Sequence, residues 1–373
     1  MLYIVYGIVL LANSLFSFGK MHSKIIAYFT LLFIWILFWG NTSNADMDSY
    51  IRDYTYLQNG SSIDLYGTEP GFLLLMKLSI YLGFNYTTFL AILSAICYFL
   101  IHRTVKQYTK NFNYVYLLYL FHPVFLDIVQ LRNFITVSIL VFAIPLLVEG
   151  TTKSKLKYLL LIAVASTVQN IAVLYAPFML IGKSEKNKIV KYVAYFALCS
   201  SILIFIDGQE ITFISEFVSI FTDNLRINRY LSGSGQLGFL IAWGIHIIYF
   251  TLIYWSRKII NKNTVEQKNI NQSKNNKIIA FIDIIFWINV FAFAFFPLYM
   301  MNMAFYRIIR NLILLNAIVF SIASDSFPSG GKIQKLGFNF AVLLGSLIWF
   351  FYDILGDHFT TVFQPILENN IFF

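Results

Sequence analysis

Three acidic positions and six arginines carry the chemistry that this sequence can offer. Glu69 stands in "GTEPGFLLL", directly before Pro70 and Gly71 at the start of an apolar run. Asp46 and Asp48 share "ADMDSYIRDYTYL" with Tyr50, Arg52 and Tyr54. A carboxylate within hydrogen-bond reach of a hydroxyl serves as a general base, which makes Glu69, Asp46 and Asp48 candidate catalytic residues. The competing reading of Glu69 is a helix-capping acid, and of the two aspartates, solvated loop residues. Asp46-Met47-Asp48 has a DxD-like spacing, but an isolated pair supplies too few ligands for a metal site, and none is expected. Arg132 sits in "DIVQLRNFITV" at the joint of two apolar runs, flanked by Gln130 and Asn133, with no basic cluster around it. An ion pair with Asp127 is its structural alternative.

The arginines are sorted along the chain. Six of the eight, Arg52, Arg132, Arg226, Arg229, Arg307 and Arg310, fall outside the lysine-rich loops, where only Lys77 accompanies them. Residues needed only to orient loops would be lysine or arginine on either side. Arginine is always charged, is more weakly hydrated than lysine, and presents a planar fork that holds phosphate oxygens in pairs. Near membrane depth a charge is expensive and implies a partner. Arg132, Arg226, Arg229, Arg307 and Arg310 are therefore candidate ligands for a diphosphate. Gln130, Gln169, Asn170 and Tyr230 are candidates for contacts with sugar hydroxyls. An anion met at the membrane–water boundary fits a lipid-linked diphosphate sugar donor, with its acyl chain in the bilayer and its glycan outside. Fixed cations would stabilise the charge that develops on the departing diphosphate.

The elements that must position these residues are membrane helices. Of the 373 residues, 58% are hydrophobic and 12% charged, and the mean hydropathy is +0.70; soluble domains are about 45–50% apolar and about 25% charged. Twelve apolar segments are legible, near 2–18, 25–40, 71–83, 86–102, 112–129, 132–148, 158–181, 189–206, 237–256, 278–298, 305–323 and 336–353. The expectation is one integral membrane domain over 1–373, all-α and polytopic. Basic loops at 19–24, 103–110, 151–157, 183–191 and 257–277 place their ends in the cytoplasm. Loops 41–69 and 207–236 and the tail 354–373 then lie outside. Consistent sidedness needs about ten full crossings, both termini outside, and two non-spanning elements. One is a short helix after "TEPG"; the other is a hairpin of half-helices with its tip at "VQNIA", 168–172. The net charge of +9 comes mostly from loop lysines, a topology signal rather than a nucleic-acid footprint. Cys97 and Cys199 lie in apolar segments and are expected to be small buried hydrophobes. His122 is expected to accompany a kink at Pro123, and His246 to be a buried hydrogen-bonding group. Nucleotide, zinc-hydrolase and serine-hydrolase signatures are absent, and no cofactor is expected.

In order along the chain, "ADMDSYIRDYTYL", "GTEPGFLLLMKL", "DIVQLRNFITVSILVFAI", "STVQNIAVLYAPF", "NLRINRY" and "FYRIIRNLILLN" resemble the EpsG-like branch of Wzy-type polysaccharide polymerases. The family pattern usually has histidine where Gln169 or Asn170 stands here, glutamine in place of Asn133, and often an acid in place of Tyr306. Gln169 can orient a hydroxyl but cannot take a proton. The resemblance implies a glycosyltransferase of the cytoplasmic membrane that joins oligosaccharide repeats linked to undecaprenyl diphosphate, as in O-antigen, capsule or exopolysaccharide synthesis. It implies membrane lipids, a chain-length regulator and a flippase as partners, and no nucleic acid. A flippase for the same lipid-linked substrate, a membrane acyltransferase and a scaffold are the alternatives.

Overall fold

The computed structural model describes residues 2–19, 21–60, 68–121, 123–182, 188–206, 238–266, 272–301, 303–328, 330–354 and 358–372. The described residues are helical, without strands, and their apolar side chains reveal the solvent. On the helix Lys332–Ile354, Ile333, Leu336, Phe340, Leu344, Ile348 and Phe351 form an exposed stripe, while Phe338, Val342, Ser346 and Trp349 on the other face are buried. A contiguous apolar face of this length on the outside fits a lipid environment, and the chain is a multi-pass membrane protein. Five described helices are long and apolar enough to cross a bilayer, or six when Phe112–Phe121 and Pro123–Val129 count as one bent span.

Helices α1 (Leu2–Phe18) and α2 (Lys24–Gly40) lead to a short amphipathic helix, α3 (Met47–Gln58), where the sequence reading had only an outer loop. Met47, Tyr50 and Tyr54 face inward. The expected short helix after "TEPG" is α4 (Pro70–Tyr81), whose 12 residues rise only about 18 Å, too little for a bilayer core of about 30 Å. Helix α5 (Tyr86–Tyr108) is followed by α6 (Phe112–Phe121) and α7 (Pro123–Val129), which meet at 63°. The kink expected at Pro123 is present; His122 itself lies outside the described residues. A carbonyl at this break, Leu120 O, accepts from the Tyr6 hydroxyl of α1 at 2.9 Å. Helix α8 (Leu131–Glu149) contains Pro145, which cannot donate to the carbonyl four residues back. That carbonyl, Val141 O, accepts instead from the Thr104 hydroxyl of α5 at 3.2 Å. Broken backbone in a membrane protein is tolerated where neighbouring groups satisfy it in this way.

Helix α9 (Thr152–Val168) ends at Gln169, whose extended backbone (φ −150°, ψ 112°) turns the chain into a 3₁₀ helix, Asn170–Leu180. The Tyr158 hydroxyl donates to Tyr175 O at 2.7 Å. A straight rod would hold these residues more than about 25 Å apart, so the segment doubles back with its tip at Gln169. The expected hairpin at "VQNIA" is therefore present. Helices α10 (Lys188–Ile206), α11 (Gly238–Glu266) and α12 (Gln272–Phe291) follow. The apolar run expected as one segment at 305–323 is instead a helical turn, Arg307–Arg310, that tightens at Asn311–Leu312 before α13 (Ile313–Asp325). The helix Lys332–Ile354 is α14.

The bundle has two chemically different ends. At one, His22 meets Asp325 at 3.3 Å, Asn111 Nδ2 donates to Ser17 O, and Thr109 and Ser321 share a hydrogen bond; Lys24 and Lys110 adjoin these residues in sequence, and Lys335 is near enough to oppose a charge on His22. At the other, Tyr3 donates to Glu368 and Asn370 pairs in antiparallel fashion with Asn41. Both described termini, the 41–46 segment, Glu69 and the start of α8 thus share one end, opposite the His22–Asp325 pair. His246 is buried with Nε2 3.3 Å from Asn289 O and its ring stacked on Phe293, as expected. Cys97 is buried, but Cys199 is exposed: it occupies an outward face of α10, where a small apolar side chain is as suited to lipid as to a core.

Candidate diphosphate and acceptor site

The site begins with the three residues Glu69-Pro70-Gly71. Proline restricts the residue before it to extended backbone, and Glu69 sits at φ −64°, ψ 142°. Pro70 then occupies the first helical position of α4, where its missing N–H costs nothing. Gly71 lets α4 approach α9: a Cβ at residue 71 would lie 2.8 Å from the carbonyl carbon of Thr167. The three residues therefore aim a carboxylate away from its own helix while seating that helix against the hairpin tip.

Glu69 occupies the N-cap position, yet its side chain makes no cap hydrogen bond. Its Oε2 instead accepts from Arg132 Nη1, and its Oε1 from the backbone N–H of Asn170 at 3.5 Å. Glu69 thus holds the cap position without capping through its side chain, and the carboxylate on Arg132 is Glu69 rather than Asp127. Arg132 lies in the first turn of α8, where the helix dipole disfavours a cation; a carboxylate beside it offsets that cost. Asp127 is wholly within the bundle and accepts from the Tyr119 hydroxyl at 2.9 Å.

Two other arginines reach the same end from the late turn. Arg307 and Arg310 are three residues apart on a single helical turn and so project to one side. Arg310 is 5% exposed and donates through Nη2 to Gln130 Oε1, while its buried Nε has no hydrogen-bond partner among the described residues. Burial holds the Asp46 carboxyl above its usual range, against the opposing pull of Arg307 and then Arg132. Asp46 thus shares a field with arginines 86 and 261 positions further along the chain. Asp48 is exposed in the first turn of α3 and follows its alternative reading as a solvated acid. Among the described residues no group of three or more His, Cys, Asp or Glu is placed to hold a metal.

Tyr50 joins the site by more than composition. Its ring packs on Phe72 at 5.7 Å, its hydroxyl is hydrogen-bonded to Arg132, and burial raises its pKa more than Arg132 lowers it. Tyr54 is instead spent on the fold, bonded to Phe84 O and Ser79. Gln169 forms the turn of the hairpin and Asn170 follows it, so both reach the Glu69 end. Arg52 does not: its side chain is 58% exposed and lies by Ser49 and Asp53. Arg226, Arg229 and Tyr230 lie outside the described residues.

Behind the arginines is a pairing with no motif in the sequence. Asn133 Nδ2 donates to Asn311 Oδ1 at 3.0 Å, Asn311 Nδ2 donates back to Asn133 Oδ1 at 2.9 Å, and Asn311 Nδ2 also donates to the Tyr175 hydroxyl at 2.8 Å. Asn133 follows Arg132, and Asn311 follows Arg310. Their adjacency to the two arginines was visible, but their pairing across 178 residues was not.

Three cations and two carboxylates from four distant segments therefore meet at one end of a lipid-facing bundle, an arrangement able to bind an anion beside a proton acceptor. No match was found among curated proteins or among solved structures. The model of the EpsG family matches residues 3–366, in keeping with the likeness of the Glu69 and Arg132 segments to that family. The chain belongs to the EpsG family of membrane proteins of polysaccharide biosynthesis.

Proposed function

We propose that the protein is a polymerase that joins lipid-diphosphate-linked oligosaccharide repeats on the non-cytoplasmic face of the cytoplasmic membrane. In this reading the chain makes about ten crossings with both termini outside, and the lysine-bearing end faces the cytoplasm. The observation that carries it is the convergence of Arg132, Arg307 and Arg310 beside Glu69 and Asp46 at the other end.

The reaction needs two lipid-linked substrates. A hydroxyl of the acceptor repeat attacks the anomeric carbon of the donor. The new C–O bond forms as the bond from that carbon to the diphosphate oxygen breaks, and the polyprenyl (undecaprenyl) diphosphate leaves with the bonding pair. The hydroxyl proton passes to a carboxylate, Asp46 or Glu69. Arginine forks at the departing diphosphate stabilise charge that is greater in the transition state than in the ground state, which is what lowers the barrier. Gln130, Gln169 and Asn170 offer amides for sugar hydroxyls. Arg226, Arg229 and Tyr230 belong to the same proposal through their likeness to the family's second outer loop.

The test is Arg132→Lys in cells that make the polymer. The charge is kept and the planar fork is lost. A polymerase loses long glycan chains while single lipid-linked repeats still reach the outer face; in a flippase the repeats stay inside. Unchanged chain length removes Arg132 from the mechanism.

A further inference from the structure

We infer that the Asn133–Asn311 amide pair, anchored by Tyr175, sets the spacing of the Arg132 and Arg310 guanidiniums and thereby selects a diphosphate over a monophosphate. The inference rests on the functional reading above and assigns the selectivity of that same site. Asn133 and Asn311 are each 2% exposed and bonded to one another in both directions. A reciprocal carboxamide pair has one separation at which both bonds form, so it fixes the distance between two backbones more narrowly than apolar packing does. Each asparagine is the immediate neighbour of an arginine, so fixing those backbones fixes the roots of the two forks.

The third bond extends the same control to the acid. Asn311 holds the Tyr175 hydroxyl, and Tyr175 O accepts from Tyr158 of α9. The hairpin so anchored carries the Asn170 N–H that bonds Glu69. One polar node therefore ties together the carrier of Arg132, the carrier of Arg310 and the element that holds Glu69. Stability alone calls for little of it, because polar pairs between membrane helices contribute modestly. Among the described residues, the Nε–H of the almost wholly buried Arg310 has no acceptor. Two guanidiniums whose backbones are tied together by one polar node suit an anion with two charged centres rather than one.

The experiment uses the full chain in detergent with polyprenyl diphosphate and polyprenyl monophosphate as probes. Binding of each is measured by competition against a fluorescent lipid diphosphate, together with thermal unfolding. The wild type should prefer diphosphate. Asn133→Leu with Asn311→Leu should still fold, at a Tm lowered by the unpaired Tyr175 hydroxyl, yet lose at least about tenfold of that preference and show a raised KM for the lipid-linked donor. Asn133→Gln keeps the amide but lengthens its arm by one methylene, and should shift the preference in a folded protein even if the double variant does not accumulate. A wild type that prefers diphosphate, with folded variants that prefer it equally, overturns this inference and leaves the polymerase reading standing. A wild type without the preference overturns both.

Discussion

Gly71→Ala tests whether the close seating of α4 on the hairpin tip sets the reactive geometry. The added Cβ would lie 2.8 Å from Thr167 C, where ordinary contact begins at 3.4 Å. The two backbones must then part by about 0.6 Å, because neither atom can rotate away as a side chain would. Glu69 is two residues from the graft and Asn170 three from Thr167, so the separation falls on the Glu69–Asn170 contact, already 3.5 Å long. Overpacking of this kind costs about 1–3 kcal/mol, and displacement approaching 1 Å at a reacting group costs about 10²-fold in rate. The assay is the initial rate of polymerisation by purified protein on lipid-diphosphate-linked repeats, beside its thermal unfolding. The expected result is a folded protein, slowed between about tenfold and 10²-fold. Adding Thr167→Gly should recover only part of the loss, because the Thr167 backbone remains in the way. A folded Gly71→Ala protein with the wild-type rate would refute the claim that this contact positions Glu69.

Other outcomes follow from single contacts. Glu69→Gln removes the carboxylate from Arg132; because Arg132 is 22% exposed, the stability loss should stay near 2 kcal/mol rather than the 3–5 kcal/mol of a fully buried pair, while the rate falls about 10²-fold or more. Hydrogen bonding to Asp325 raises the pKa of His22 above 6.5 more than burial lowers it. The stabilisation should be present below that unfolded-state value and disappear as pH rises through the higher folded value, so His22→Gln should lower Tm at about pH 5.5 and not at about pH 9. With Cys97 and Cys199 replaced, a cysteine at Asn170 should be labelled by an impermeant thiol reagent from outside, and one at Lys153 only after permeabilisation. The reverse pattern would invert the proposed topology. Arg257 meets Asp283 at 2.7 Å and lies over the Phe286 ring, so Arg257→Lys should lower Tm although the charge is kept.

Much of the architecture was legible from composition because lipid imposes a simple rule: apolar side chains face outward and backbone polar groups must be paired within the chain. Apolar runs thus locate most of the described membrane helices, and parity among the lysine-rich loops points to the hairpin at 168–172. Pro123 and Pro70 marked a kink and a helix start because a missing N–H acts locally. α3 was missed because an amphipathic helix of 12 residues with alternating tyrosines and acids has neither the length nor the hydropathy of a span.

By itself, the sequence determined the class of molecule, the segregation of arginine from lysine, and which few acids and amides could matter, since these are properties of residue type and local order. Only the tertiary structure decided the partnerships. Arg132 could have met Asp127 five positions away, but in the folded chain it meets Glu69, 63 residues distant. Asn133 and Asn311 find each other across 178 residues. Long-range pairing depends on how helices rotate and cross, and that is settled by the packing of whole faces, such as Phe38 and Tyr98 about Phe134. No short stretch of residues carries that information.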